Sequence, residues 1–284
     1  TKIFTLTVLA ETLNPDIATA QVVIDQISVL PTPTNLVLGD AIAVTNARIA
    51  YTALSSGQKD LVTNLATLTA TEAQITALTS SATAVTNLEA AVGLALTVED
   101  NLTDADSKLT TAYSTFASIT AGGAKGVLAD RFNTASQTVR SAAIAFDKAA
   151  LVDDSIKGGN SDLSSITTAL TNPLPASGSH GTTVNWSSSN TAVVSNDGQT
   201  INRPTFASGD ATITFGASIS RNCLGVSGNN GGGGGCGGSS EDTKTFTLIV
   251  LKLPASTVTT ITSATYTVSS GGTASETITN VPFG

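Results

Sequence analysis

The hydrophobic period changes in the middle of this chain, and that change limits the folds open to it. From about residue 14 to residue 150 apolar residues recur every three to four positions, whereas beyond a linker at "VDDSIKGGNSD" they alternate every second position. The first spacing places apolar side chains on one face of a helix, and the second places them on one face of a strand. The expected fold class is therefore α+β and multidomain. An elongated antiparallel helical bundle is followed by a β-sandwich, with β-strand extensions at both termini. At 284 residues the chain is long enough for roughly two ordinary domains.

Within the helical part the clearest seams are Val98, Leu102, Ala105, Leu109, Ala112, Phe116 and Ile119, then Leu128, Phe132, Ala135, Val139, Ala142, Phe146 and Ala149. Each keeps a +4/+3 alternation, and Gly122-Gly123 lies between them, so the two helices should fold back as an antiparallel hairpin. Ile75, Leu78, Ala82, Val85 and Val92 supply a third long helix. Asn14 before Pro15 is a helix-start signal, with Ile17, Ala20, Ile24 and Ile27 as the buried face and Pro31 as the stop. Ser55-x-x-Gln58 and Thr69-x-x-Glu72 read as two capping boxes, each opening a further helix.

After the linker, "TTVNWSSSN", "AVVS", "QTINRP", "DATITFGASIS" and "KTFTLIVL" read as short strands separated by turn residues. Trp186 followed by three serines, Asp197-Gly198, Arg203-Pro204 and a closing Phe-x-Leu-x-Val strand resemble the bacterial immunoglobulin-like domain of Gram-positive surface and secreted proteins. That resemblance implies a β-sandwich and an extracellular, cell-surface setting. "ARIAYTALSSGQKDLVTNLATLTATEAQI" is similar to helical repeats of surface-layer and cell-wall proteins. The Gly-rich stretch Gly225–Gly238 departs from the immunoglobulin-like pattern. Cys223 and Cys236 flank most of it, too far apart for a C-x-x-C motif and too few for a zinc site. A disulfide closing that loop is the expectation, against two reduced, unpaired thiols as the alternative.

"TKIFTLTVLA" at Thr1–Ala10 recurs as "TKTFTLIVLK" at Thr243–Lys252, with seven of ten positions identical. The second copy lies among strands that it can close, whereas the first is followed at once by helical sequence. Ile3, Phe4, Leu6 and Val8 are therefore read as an assembly strand that completes another sandwich. The expected division is 1–12 as this connector, 13–156 as the helical bundle, 157–254 as the sandwich, and 255–284 as a hairpin around Ser-Ser-Gly-Gly that begins a further β-domain or connector. The chain begins in mid-strand, as a processed polypeptide or a section of a longer one would.

Little in the sequence offers chemistry. His180 is the single histidine, read as a solvated loop residue with no G-x-S-x-G elbow to accompany it. Gly232, Gly234 and Gly237 satisfy G-x-G-x-x-G only because the run is poly-glycine. Glu99, Asp100, Asp104 and Asp106, and then Asp153, Asp154 and Asp162, are acidic groups that match no calcium loop and fit helix starts better. Trp186 is read as sandwich core, with stacking on a sugar ring as the alternative. A net charge of −8 with only 13 scattered Lys and Arg argues against a nucleic-acid partner. No apolar run of about 18 residues predicts a membrane span. The expectation is a non-enzymatic structural segment of an extracellular surface layer or filament, without cofactor or metal, whose partners are copies of itself joined head to tail. Cell-wall polysaccharide is a further candidate partner, and the alternative function is an accessory carbohydrate-binding or spacer region of a secreted polysaccharide-active enzyme or adhesin.

Overall fold

The computed structural model describes residues 14–120, 122–227 and 240–256, together with the backbone of two strands at 264–268 and 272–276. The fold is α+β, and the chain divides into two compact units built from discontinuous segments. Unit 1 takes residues up to Ala150 with Ser177–Thr183 and Ile219–Asp242; unit 2 takes Leu151–Ala176, Val184–Ser218 and the residues from Thr243 onward. Two later stretches of the chain, Ser177–Thr183 and Ile219–Asp242, thus group with the helices.

In unit 1, helix α1 (Pro15–Ser28) starts where the sequence places it: Asn14 Oδ1 accepts from Asp16 N at 3.0 Å. Its buried face is Ala20, Val23 and Ile27, while Ile17 is exposed. Helix α2 covers Ala41–Ala53, and α3 is a single turn, Ser56–Lys59, opened by the Ser55–Gln58 capping box with both reciprocal bonds formed. Thr69-x-x-Glu72 opens nothing. It lies inside α4 (Leu65–Val92), where the Thr69 hydroxyl donates to the Leu65 carbonyl and Glu72 is held by Arg48.

Helix α5 (Glu99–Thr115) passes into a 3-10 turn at Phe116–Ser118, and α6 spans Gly123–Ala150. These helices and α4 pack on one another. Leu102, Ala105, Leu109, Ala112, Phe116 and Ile119 are buried, with the Phe116 ring 5.3 Å from that of Phe132 on α6. Val98, expected to begin the seam, is instead the exposed N-cap residue of α5. At the turn between α5 and α6 Gly122 is required sterically, since a Cβ there would lie 2.1 Å from the Thr34 carbonyl oxygen. The buried amide of Gln74 fastens the same turn by accepting from Thr120 N and donating to Thr120 O.

The α6 seam holds through Leu128, Phe132, Ala135 and Val139 and then changes face. Ala142 and Phe146 are half-buried and Ala149 is exposed, whereas Ala143, Ile144 and Asp147 are buried. A second face of α6 carries Asn133, Ser136, Arg140 and Asp147, which grip the non-helical segments of unit 1. Asn133 bonds both backbone groups of Val226, Ser136 donates to the Leu224 carbonyl, and Arg140 donates to Ser240.

Unit 2 begins with a one-turn helix α7 (Asp153–Ile156). Strands β1 (Thr183–Ser188), β2 (Ala211–Ser220) and β3 (Glu241–Val250) form a sheet in that order. Strands β4 (Ala264–Val268) and β5 (Gly272–Glu276) pair antiparallel as a separate two-stranded sheet, Val268 opposite Gly272. Buried Asn160 organises the loop ahead of the sheet. Its Oδ1 accepts from Thr167 N and Thr168 N, and its Nδ2 donates to the Lys157 and Thr168 carbonyls. Gly158, at φ +61°, allows the chain to turn there, where a Cβ would lie 2.7 Å from the Ala169 carbonyl oxygen.

Candidate functional site

The most informative position is the one filled by the second copy of the recurring strand. Thr243–Lys252 contributes β3 and its continuation, with Phe246, Leu248 and Val250 buried at 4%, 0% and 0% exposure. Strand β2 flanks it on one side, presenting buried Ile213, Phe215 and Ala217. On the other side residues 163–166 run parallel to it: Ile249 N donates to the Leu163 carbonyl at 2.8 Å, and Ile166 N donates to the Ile249 carbonyl at 2.9 Å. Its backbone is thus engaged on both edges near the C-terminal end, as a buried strand requires.

Two motifs noted in the sequence complete the position. Trp186 stacks on Phe215 at 5.3 Å and lies 5.9 Å from Phe246, while its Nε1–H donates to the Pro175 carbonyl. Its indole is half-buried and belongs to the same aromatic cluster as the strand. Arg203 donates Nε–H to the Leu251 carbonyl and an Nη2 hydrogen to that of Lys252, fastening the end of the strand. Lys244 lies over the Phe246 ring at 5.6 Å. The first copy carries the same pair as Lys2 and Phe4, but Thr1–Ala10, and with it Ile3, Phe4, Leu6 and Val8, lies outside the described residues.

The other candidates are scattered. His180 is not solvated: it is 7% exposed in unit 1, edge-on to Phe146 at 4.8 Å. Its backbone N–H donates to Asp147, whose carboxylate, 3% exposed, also accepts from the hydroxyls of Ser179 and Thr182. No Ser–His pair forms, because the imidazole has no bond to either hydroxyl and its buried Nε2 has no partner. Glu99 and Asp100 occupy the first turn of α5, Asp104 pairs with Lys108, and Asp106 pairs with Arg221 at 2.5 Å. In unit 2, Asp153 and Asp154 stand in the first turn of α7; Lys157 holds the Asp154 carboxyl below the usual carboxylate range. Hydrogen bonds from Ser164 and Ser165 do the same for Asp162. Among the described residues no group of three or more His, Cys, Asp or Glu side chains is placed to hold a metal ion. None of the described helices is long and apolar enough to cross a membrane.

Cys223 lies in the described part, its sulfur 3.2 Å from the Ser136 hydroxyl. Cys236 and the glycines at 232, 234 and 237 lie outside it, and with Cys236 the expected disulfide. Sequence reading missed Asp147 and the polar face of α6. A signal was present: Asn133, Ser136, Arg140, Ile144 and Asp147 recur at +3, +4, +4 and +3, a helical stripe that an apolar-only search passes over.

Residues 144–226, less than a third of the chain, match the family described as the atrophied bacterial Ig domain. The chain therefore contains a bacterial immunoglobulin-like region. The match begins within α6, includes β1 and β2, and ends before β3. No curated protein matches the chain.

Proposed function

We propose that this chain is a structural segment of an extracellular bacterial surface array, a surface layer or filament, that assembles head to tail by β-strand addition. The observation that carries the reading is the burial of Phe246, Leu248 and Val250 in the second copy of a strand whose first copy repeats the same three residues as Phe4, Leu6 and Val8. Burying each such side chain contributes roughly 1.5–3 kcal/mol, so the first copy has a matching drive to enter a sheet. The acceptor in this proposal is β4–β5 of a neighbouring copy. Among the described residues these strands pair only with each other, and a two-stranded sheet is marginal alone in water. Strand addition to an exposed edge satisfies both elements, and a contact between opposite ends propagates without closing.

The bacterial immunoglobulin-like region supports the same reading. So does the use made of the charged side chains. Glu72, Glu89, Asp106 and Asp147 each tie one part of unit 1 to another. The test is sedimentation velocity over a concentration series of the full chain, with negative-stain imaging of the largest species. Linear oligomers that lengthen with concentration are expected; a monomer at every concentration contradicts the proposal.

A further inference from the structure

Beside Trp186, unit 2 holds an open groove of about 430 Å³ that the assembly reading does not use. The volume falls within the roughly 300–1,000 Å³ typical of small-ligand sites. The indole offers it an apolar surface and no donor, since Nε1–H is bonded to the Pro175 carbonyl. Pro173, Leu174 and Val184 extend the apolar lining.

The rest of the lining is polar and carries unfilled hydrogen-bonding capacity. The amide of Asn172 makes no hydrogen bond to the described protein, and Asn172 is exposed. Asn196 accepts from Ser188 N through Oδ1, which leaves its NH₂ group to donate. Asp197 uses Oδ1 for the Ser195 hydroxyl and Gln199 N, which leaves Oδ2 to accept. The Ser195 hydroxyl, followed by the Gln199 backbone N–H, holds the Asp197 carboxyl below the usual carboxylate range, so it accepts at neutral pH. Gln199 donates to the Thr171 and Asp197 carbonyls, which leaves Oε1.

This combination selects a ligand class. Amides with donor and acceptor atoms side by side suit adjacent hydroxyl groups, each of which donates and accepts. An indole suits an apolar C–H face. Neither Lys nor Arg lines the groove, and its one charge is negative, which disfavours phosphate or sulfate. We propose that the groove binds a neutral sugar ring of a glycan, its C–H face on Trp186 and its hydroxyls on Asn172, Asn196 and Asp197. This inference stands apart from head-to-tail assembly, and either can fail alone.

Trp186 is the only tryptophan, so its fluorescence reports the groove without a label. The full chain is titrated with neutral hexasaccharides of the cello-, chito-, xylo-, manno- and malto-series. A saturable emission change with at least one series is expected, weakened about five- to tenfold by Asn172→Ala, the loss of one hydrogen bond. Because Asn172 is exposed and unbonded, that variant should keep the circular dichroism of the parent. Trp186→Ala is a poor first choice, since the ring packs on Phe215 and Phe246. No saturable change with any series overturns the proposal, as does a change that persists undiminished in both Asn172→Ala and Asp197→Asn.

Discussion

The two units hold their interiors together by different means. In unit 1 the interior is a periodic seam: small and large apolar residues alternate along α5 and α6, with Phe116 against Phe132 at the turn end. In unit 2 a short sheet packs around Trp186, Phe215 and Phe246, and much of the remaining chain is loop, fixed by buried or half-buried polar groups such as Asn160 and Arg203. A seam distributes stability over many similar contacts, whereas a tied loop concentrates it in a few groups that have no substitute. The asymmetry follows from backbone chemistry. A helix satisfies its own N–H and C=O groups internally, but a buried loop must find partners for them.

The largest effect should come from charging the seam. Phe116→Asp places a carboxylate at a position only 3% exposed, between helices, and should cost roughly 4 kcal/mol or more. Thermal unfolding followed by helical circular dichroism checks this. An unchanged midpoint would show that the seam is not the core of unit 1.

Next in size is Asp147→Ala, which leaves the Ser179 hydroxyl, the His180 N–H and the Thr182 hydroxyl without their acceptor. A loss of about 3 kcal/mol is expected in denaturant unfolding. Asp147→Asn, which keeps one acceptor oxygen, should cost less. If both variants cost nothing, unit 1 rests on its seam alone. The matching change in unit 2, Asn160→Ala, removes a hub that accepts from two backbone N–H groups and donates to two carbonyls. It should cost about 2 kcal/mol, and amide exchange at Thr167 and Thr168 should speed up.

What could be read in advance follows the same division. The helix starts at Pro15 and Ser56 were legible because their signals are local, a side-chain oxygen two or three residues from the N–H it accepts. The false start at Thr69 shows the limit of such a signal. The four residues before it already continue the helix, and Glu72 is claimed by Arg48 from another helix. The α5 and α6 seams were legible until Val139. Beyond it the loop at 177–183, remote in sequence, docks on Asp147, and the buried positions of α6 move to Ala143, Ile144 and Asp147. His180 was misplaced for the same reason, since nothing near it in sequence announces Asp147. The aromatic environment of Trp186 and β3 was legible from strand alternation. The open groove beside the indole was not, because it is formed by residues from three separate stretches.

The smallest effect should be electrostatic. The Arg131 guanidinium, hydrogen-bonded at 2.6 Å, holds the Glu89 carboxyl below its ordinary value of 4.5. A carboxyl with a lowered folded-state pKa contributes stability that is complete above its unfolded value and is lost as pH falls through the folded one. Stability should therefore decline below about pH 4.5, with Glu89→Gln removing a small part of that decline. The pair is more than a third exposed, so solvent screening should keep its share below about 1 kcal/mol. A larger share would mean that the surface ties of unit 1 rival its seam.

The proposal that the recurring strand joins one copy to the next is tested most directly by deleting Thr1–Ala10 and comparing sedimentation and circular dichroism with the full chain. The account predicts a folded monomer at concentrations where the full chain forms linear oligomers, with assembly inhibited in the full chain by an excess of the free peptide TKIFTLTVLA. Oligomers of unchanged length after the deletion would contradict it.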